Sequence, residues 1–234
     1  EGETASTLSI DAFSNLDAGV YKVAAEEANG GSSFGLFWVM PDYGATEVLQ
    51  IASRGNYSAP PSEIASMDDI VQVATGDDFG MGLRRNGSVV VWSMVDTPST
   101  PSVLAVPEDL SDVVRVAAGY THCLALRADG TVVAWGGNAF GQADVPVDLF
   151  GVVEISGGLR HSVARKADGT ATGWGELEQG ASAQPPEGFG PIMAISAKRY
   201  NNVSLKTDGS VYSWGGDLNS VPTLQSGLVQ VEAH

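Results

Sequence analysis

A turn dipeptide, Asn-Gly or Asp-Gly, precedes a tryptophan at one fixed spacing in four places along this chain. In each place the glycine stands five residues before the tryptophan, and successive glycines are 43, 39 and 40 residues apart. A period of about 40 residues indicates a repeat architecture, whose loops are expected to form a binding face. The four pairs are Gly87 and Trp92, Gly130 and Trp135, Gly169 and Trp174, and Gly209 and Trp214.

The clearest repeat runs from Val114 to Gly151 and contains four short segments with strand character. Three alternating or apolar runs predict strands A, B and C, and a shorter strand D is expected to end near Pro146. Strands B and C flank Asp129-Gly130, which favours a two-residue hairpin with positive φ at both turn positions. The three runs are Val114–Val116, Cys123–Leu126 and Thr131–Trp135.

Tandem units of four short antiparallel strands predict an all-β fold, a β-propeller of four-stranded blades. A linear β-solenoid is the alternative, but its rungs are usually shorter and lack a hairpin at a fixed place. We expect a single propeller domain over residues 1–234, with about five repeats and partial flanking blades. The expected boundaries are 1–19 for the tail of a preceding blade, 20–69 for a divergent blade, 70–112, 113–151, 152–191 and 192–227 for clear blades, and 228–234 for the start of another blade.

One repeat carries a fuller motif than the others. The run VRVAAGYTHCLAL at residues 114–126 is followed by GGNAFGQADVP at residues 136–146. This combination resembles the regulator-of-chromosome-condensation repeat, and the short period is most similar to the compact bacterial version seen in the type II β-lactamase-inhibitor protein. The resemblance implies a propeller that generally closes with seven blades, in a family of exchange factors, inhibitors, adhesins and scaffolds. Because an open arc leaves strand edges exposed, we expect either a longer intact protein or a partner that covers the edges.

The charge balance limits the class of partner. The chain has 28 acidic and 12 basic residues, a net charge of −16, which argues against a nucleic-acid partner because phosphate binding needs a basic surface. No apolar run is long enough to insert into a membrane. The chain begins at Glu1 without a signal peptide, so we expect a processed or trimmed piece of a longer protein, extracellular or surface-associated. Cys123 lies in an apolar run, which predicts a buried, inert thiol.

The strand order assigns each loop to one of two faces. If strand A runs up, B down, C up and D down, the A–B and C–D loops share one face, and the B–C hairpins and D–A connections share the other. The first face carries the aromatic and arginine residues enriched at protein–protein hot spots, and in the inhibitor that the repeat resembles these two loop classes contact the partner. The predicted partner-binding residues are Tyr57, Asp77, Asp78, Phe79, Tyr120, His122, Asn138, Phe140, Arg160, His161, Arg199 and Tyr200.

Candidate chemical sites are weaker than this binding face. His122 and His161 occupy equivalent positions and could form a metal pair, but no third ligand recurs, so structural histidines are favoured. Asp77 and Asp78 lack the spacing of a calcium loop. We find no catalytic motif and expect no cofactor and no metal. Glycosylation sequons occur at Asn56, Asn86 and Asn202, of which Asn202 is expected at the start of a core strand.

The sequence therefore predicts a non-enzymatic module that binds a protein partner through its A–B and C–D loops. The alternative is a structural or adhesive, receptor-binding module of a larger extracellular or virion assembly, suggested by the unclosed blade count and the acidic composition. A hydrolase or lyase on the same scaffold would need carboxylates or histidines that converge at the central channel. An exchange-factor role is disfavoured by the short period and the acidic charge.

Overall fold

The computed structural model describes residues 20–21, 38–39, 61–177, 183–186 and 190–215. The regular secondary structure of these residues is strand, apart from one short helix, α1 (Ser62–Ala65), and one 3-10 turn (Pro101–Leu104). The all-β fold class is confirmed. The strands are β1 (Val20–Tyr21), β2 (Trp38–Val39), β3 (Ile70–Thr75), β4 (Phe79–Arg84), β5 (Val89–Ser93), β6 (Val113–Ala118), β7 (His122–Arg127), β8 (Val132–Gly136), β9 (Val152–Gly157), β10 (His161–Lys166), β11 (Ala171–Gly175), β12 (Ile192–Lys198), β13 (Asn201–Lys206) and β14 (Val211–Gly215).

Each clear repeat forms one antiparallel sheet whose strands follow chain order. The three-stranded sheets are β6-β7-β8, β9-β10-β11 and β12-β13-β14, and β3-β4-β5 forms the equivalent unit of the preceding repeat. Strands β3, β6, β9 and β12, the A strands, contact one another in succession. This arrangement of adjacent blades, with the A strands side by side, is that of a propeller.

The first sheet contains two further strands. β1 pairs with β2, and β2 pairs with β3 through Trp38 and Gln72, so that five strands share this sheet. The other residues of 20–60 lie outside the described residues, and the boundaries assigned to a separate blade at 20–69 stay a prediction.

In the described segments after β5 and β8, turns take the place of the predicted strand D. After β5 the chain forms the 3-10 turn Pro101–Leu104, and after β8 it forms turns between Phe140 and Phe150. Prolines in both segments lack the backbone donor that a strand ladder needs. These segments instead contribute packing: Val103 is fully buried in a core that includes Trp135 of the next blade.

Backbone carbonyls of the segments after strand C also join neighbouring blades. The indole nitrogen of Trp135 donates to the carbonyl of Val103 at 2.9 Å, and that of Trp174 donates to the carbonyl of Gln142 at 2.9 Å. Trp214 repeats the contact with Ala183 at 2.9 Å. In these three repeats the marker tryptophan is therefore buried and hydrogen-bonded to the segment after strand C of the preceding blade.

The B–C hairpins are turns of a different type from the one predicted. In the hairpin at Arg127 to Thr131, Gly130 donates to the carbonyl of Arg127 and Arg127 donates to the carbonyl of Thr131. Only the glycine has positive φ, 82°, while Asp129 does not. This is a three-residue loop with a glycine bulge, not a two-residue primed turn.

The acidic residue before that glycine closes the turn with its side chain. The Oδ1 atom of Asp129 accepts hydrogen bonds from the backbone and the hydroxyl of Thr131, at 2.9 and 2.6 Å. The hydroxyl bond in particular holds the pKa of the Asp129 carboxyl below its usual range. Asn86, Asp168 and Asp208 repeat this arrangement, so backbone geometry explains why these residues recur.

Candidate functional site

The A–B loops and the starts of the C–D segments lie together, as the strand order predicts. In successive blades Met94 donates to the carbonyl of Asp78, Gly137 to that of Thr121, and Glu176 to that of Arg160, at 2.7 to 2.9 Å. We call this surface the loop face: residues 76–78, 119–121, 158–160 and 198–200 with the adjoining C–D segments. The B–C hairpins contact the starts of the next A strands at the opposite end, where Val113 donates to the carbonyl of Gly87. We call that end the hairpin face.

Backbone hydrogen bonds connect the A–B loops from blade to blade. Asp77 donates to the carbonyl of Tyr120 at 3.0 Å, and Tyr120 donates to the carbonyl of Gly158 at 3.0 Å. Leu159 in turn donates to the carbonyl of Arg199 at 2.7 Å. Four consecutive loops are therefore fixed relative to one another, which gives the loop face a defined shape before any partner binds.

Three of the predicted contact residues lie beneath this surface. Phe79, His122 and His161 are fully buried, and each ring lies directly under the first glycine of its own A–B loop. A Cβ atom on Gly119 would lie 1.9 Å from the His122 ring, and one on Gly158 would lie 2.0 Å from the His161 ring. These rings support the loops from inside, so they are unavailable for direct contact with a partner.

The two buried histidines also join adjacent blades. His122 donates from Nε2 to the hydroxyl oxygen of Ser162 at 2.9 Å. The direction follows because the Ser162 hydroxyl donates its own proton to the carbonyl of Gln142 at 2.8 Å. His161 donates from Nε2 to Oδ1 of Asn202 at 2.9 Å. Burial lowers the pKa of His122 to about 3 and that of His161 to about 4, so both rings are neutral near pH 7. Their contacts are those of structural histidines.

The acidic pair in the first loop is divided between two environments. Asp78 is 7% exposed, and its carboxylate accepts a hydrogen bond from the backbone of Ser99. It therefore braces the longer insert that follows β5 and presents almost no surface. Asp77 is half-buried and stays accessible.

The remaining predicted residues reach the surface to different extents. Tyr120 is 45% exposed. Phe140 and Arg160 are half-buried, and the guanidinium carbon of Arg160 lies 4.1 Å from the Phe140 ring centroid, a cation–π contact. Arg199 is exposed and Tyr200 half-buried. Tyr57 lies outside the described residues.

Asn138 is exposed but engaged within its own turn. Its side-chain nitrogen donates to Asp144 at 2.7 Å, and its side-chain oxygen accepts from the backbone of Ala143 at 2.9 Å. These bonds close the turn that follows β8, so Asn138 supports the shape of the loop face.

The predicted contacts omit an exposed cation of the loop face. Lys198 is exposed and stands where the three preceding copies have the buried glycines Gly76, Gly119 and Gly158. The signal was present in the sequence, because a long cationic side chain replaces glycine at a repeated position.

Other candidate sites have structural explanations. Cys123 is fully buried, as predicted, and burial raises the pKa of its thiol. Asn202 is also fully buried in β13, as expected of a core strand, whereas Asn86 is exposed and Asn56 lies outside the described residues. Within the described ranges, no group of three or more His, Cys, Asp or Glu side chains is arranged to hold a metal ion. In that same part of the chain, no helix is both long and apolar enough to cross a membrane.

Comparison with known proteins identifies the repeat. Residues 113–142 match the model of the Regulator of chromosome condensation (RCC1) repeat. No curated protein matches the chain in sequence. Among solved structures, Prp20p from Saccharomyces cerevisiae is similar with a TM-score of 0.52 and 23% identity, over 62% of this chain and 45% of that chain.

Two receptor-kinase ectodomains are similar as well. The CRINKLY WD40 ectodomain of ACR4 from Arabidopsis thaliana gives a TM-score of 0.56 and 20% identity, over 73% of this chain and 59% of its own. The ectodomain of CR4 from Physcomitrella patens gives 0.59 and 17%, over 77% and 49%. The chain spans about half the length of these solved structures. The antiparallel sheets and these neighbours together show that the chain forms a β-propeller, and residues 113–142 of it match the RCC1 repeat.

Proposed function

We propose that this chain is a non-enzymatic, protein-binding propeller module that captures its partner with the loop face. The observation that carries the proposal is the position of Tyr120. This tyrosine is 45% exposed, and its backbone is hydrogen-bonded to the loops of the blades on both sides. An exposed aromatic side chain on a fixed backbone is suited to act as a hot spot, because little conformational entropy is lost when it binds.

A second anchor lies on the same face. Phe140 and Arg160 come from neighbouring blades and stack on each other. The stacking leaves both side chains partly accessible and limits their rotamers. Arginine and aromatic residues are enriched at the energetic centres of protein interfaces. The loop face thus offers two preorganised anchors.

The solved neighbours are compatible with protein binding. The study of Prp20p describes its binding properties to Gsp1p and histones, and two other neighbours are ectodomains of receptor kinases. These likenesses show the fold alone, since one fold hosts many functions. We therefore propose the class of function, protein capture, from this chain's own surface and transfer no partner.

The alternative is a structural or adhesive module that docks through the hairpin face. Val147 and Phe150, which follow β8 in the connection towards β9, are exposed by 106% and 70%. Exposed apolar residues of this size favour a contact surface when they lie close together. An extracellular or virion assembly would use such a surface to join neighbouring modules.

The two functions are separated by substituting one face at a time. We expect Tyr120→Ala combined with Phe140→Ala to weaken partner capture about tenfold or more, since hot-spot truncations cost about 2 kcal/mol or more. Capture would be measured by photo-crosslinking from a residue on the loop face, followed by interferometry with the identified partner. Phe79 is left intact because its buried ring supports the fold.

Phe150→Ala provides the matched control, because it removes an exposed aromatic from the opposite face. Loss of binding in Phe150→Ala, with normal binding by the Tyr120 and Phe140 variant, would overturn the proposal in favour of docking through the hairpin face. Hydrolytic turnover of an ester or glycan substrate by the wild-type chain would overturn the non-enzymatic assignment.

A further inference from the structure

We propose that Arg160, Lys198 and Arg199 form a carboxylate-binding site on the loop face, which takes an acidic segment of the protein partner; this inference rests on the proposed function. We call these three residues the basic corner. Its position follows from the backbone hydrogen bond between Leu159 and Arg199, which places the third and fourth A–B loops side by side.

Lys198 is permitted by a compensating change within its own repeat. In the three preceding copies the equivalent glycine faces a ring, and an added Cβ would lie about 2 Å from a ring carbon of Phe79, His122 or His161. In the fourth copy the ring is replaced by Asn201, which is smaller and half-buried. The pair of changes exchanges an internal support for an exposed cation.

Arg199 shows a second departure at the next position. Its φ is 49°, in the left-handed region that disfavours residues with a Cβ, whereas Asp77, Tyr120 and Leu159 at the equivalent positions have ordinary negative φ. Glycine would suit this conformation better. Non-glycine residues in such strained backbone conformations cluster at ligand-contacting sites.

Most of the other described cations have an acidic or an aromatic partner. Arg84 pairs with Asp69 at 2.9 Å, Arg165 with Glu154 at 2.7 Å, and Arg127 with Asp109 at 4.0 Å. Lys166 and Lys206 lie over aromatic rings.

In contrast, Lys198 and Arg199 form no ion pair within residues 61–177, 183–186 and 190–215, and Arg160 stacks on Phe140. Three cations without a described acidic partner lie on two hydrogen-bonded neighbouring loops in a chain of net charge −16. Such a local reversal of charge attracts a short anionic segment by charge complementarity.

A protein carboxylate fits this site better than a nucleic-acid phosphate. Asp77 and exposed Glu176 lie on the same face, so a long polyanion would meet repulsion beyond the corner. A peptide with a few Asp or Glu residues next to an apolar or aromatic residue would match the guanidinium groups and the exposed ring of Tyr120. Guanidinium groups bind carboxylates through two parallel hydrogen bonds.

The test uses a random peptide library displayed on phage and selected on the immobilised full chain. We expect enrichment of peptides that combine Asp or Glu with an apolar residue. An enriched peptide, labelled with fluorescein, would then be measured by anisotropy against the wild type and three variants. Arg199→Gly together with Lys198→Gly removes two corner cations without disturbing the backbone, and should weaken binding about tenfold or more. Arg85→Gly, an exposed cation on the hairpin face, is the control and should bind like the wild type.

The remaining variant, Tyr120→Ala, separates this inference from the proposed function. Enriched peptides that lack acidic residues and lose binding only in Tyr120→Ala would overturn the basic corner and leave the loop face in use. Peptides that bind all the variants equally would overturn both proposals. Binding that is insensitive to salt would contradict the inference, since charge pairing at a surface weakens with ionic strength. Preferential binding of a labelled single-stranded DNA oligonucleotide at the corner would replace the carboxylate with phosphate and overturn it as well.

Discussion

The A–B loops at residues 158–161 and 198–201 occupy the same place in adjacent blades but are built differently. In the first loop, Gly158 lies over the buried ring of His161, which donates to Asn202 of the next blade. In the second, Lys198 and Asn201 stand at these two positions. In the first loop these two positions give internal support, whereas in the second loop one of them carries an exposed cation.

This difference is visible because the copies of a tandem repeat can be compared position by position. Positions that stay constant between copies, such as Gly76, Gly119 and Gly158, are explained by packing that would fail with any side chain. A position that departs from the pattern with a compensating change nearby is free of that constraint. In a repeat protein, such compensated departures on one face are the places to look for a function.

The largest expected effect is the loss of stability when a side-chain atom is added at Gly158 in the first loop. Gly158→Ala puts a Cβ atom 2.0 Å from a ring carbon of His161, so the ring must move and break its bond to Asn202. Overpacking of this kind should lower the free energy of unfolding by about 3 kcal/mol. Lys198→Ala is the matched change in the second loop and should alter it by less than about 0.5 kcal/mol. Urea denaturation followed by tryptophan fluorescence measures both.

A double-mutant cycle sharpens this prediction. His161→Ala removes the ring, so Gly158→Ala should cost clearly less in that background than in the wild type. An equal cost in both backgrounds would show that the glycine is required for some reason other than the ring, and the comparison of the two loops would lose its basis.

A smaller effect is expected from pH. The pKa values of about 3 for His122 and about 4 for His161 lie below the usual 6.5, because burial disfavours the charged rings. The unfolded chain therefore binds more protons, and the stability due to the neutral rings is present above pH 6.5 and lost as the pH falls towards 4 and then 3. Each pKa unit corresponds to about 1.4 kcal/mol, so a loss of about 1.5 kcal/mol per ring is expected between pH 6.5 and 5.

The fourth loop supplies the control for this titration. His161→Asn copies the residue at position 201 and removes one of the two titrating rings, so the variant should lose about half of the pH dependence between pH 6.5 and 5. Unfolding midpoints in urea at these two pH values give the comparison. A slope unchanged by the substitution would mean that other groups control acid stability. The turn aspartates act in a lower range, since their lowered pKa values affect stability only below about pH 4.

The sequence predicted the repeat and its orientation better than the residues at its surface. The spacing of glycine and tryptophan located the four B–C hairpins of the described residues and the buried side chains of Trp135 and Trp174, because backbone turns and large rings have strict requirements. The same pattern placed Phe79 and His122 among partner contacts, although both are buried. Whether a loop residue points inward depends on the glycine opposite it and on the adjacent blade, which are contacts across about 40 residues that one repeat does not encode.

The smallest expected effect concerns the strained backbone of the fourth loop. Arg199 has a φ of 49°, which costs about 1 kcal/mol for a residue with a Cβ. Arg199→Gly relieves this cost but increases the entropy of the unfolded chain by a similar amount, about 0.4 to 1 kcal/mol, so the free energy of unfolding should change by less than about 0.5 kcal/mol. Leu159→Gly at the equivalent position has no strain to relieve and should lose about 1 kcal/mol. Equal losses in the two variants, measured by urea denaturation, would show that Arg199 is not strained and that the two loops differ only in their side chains.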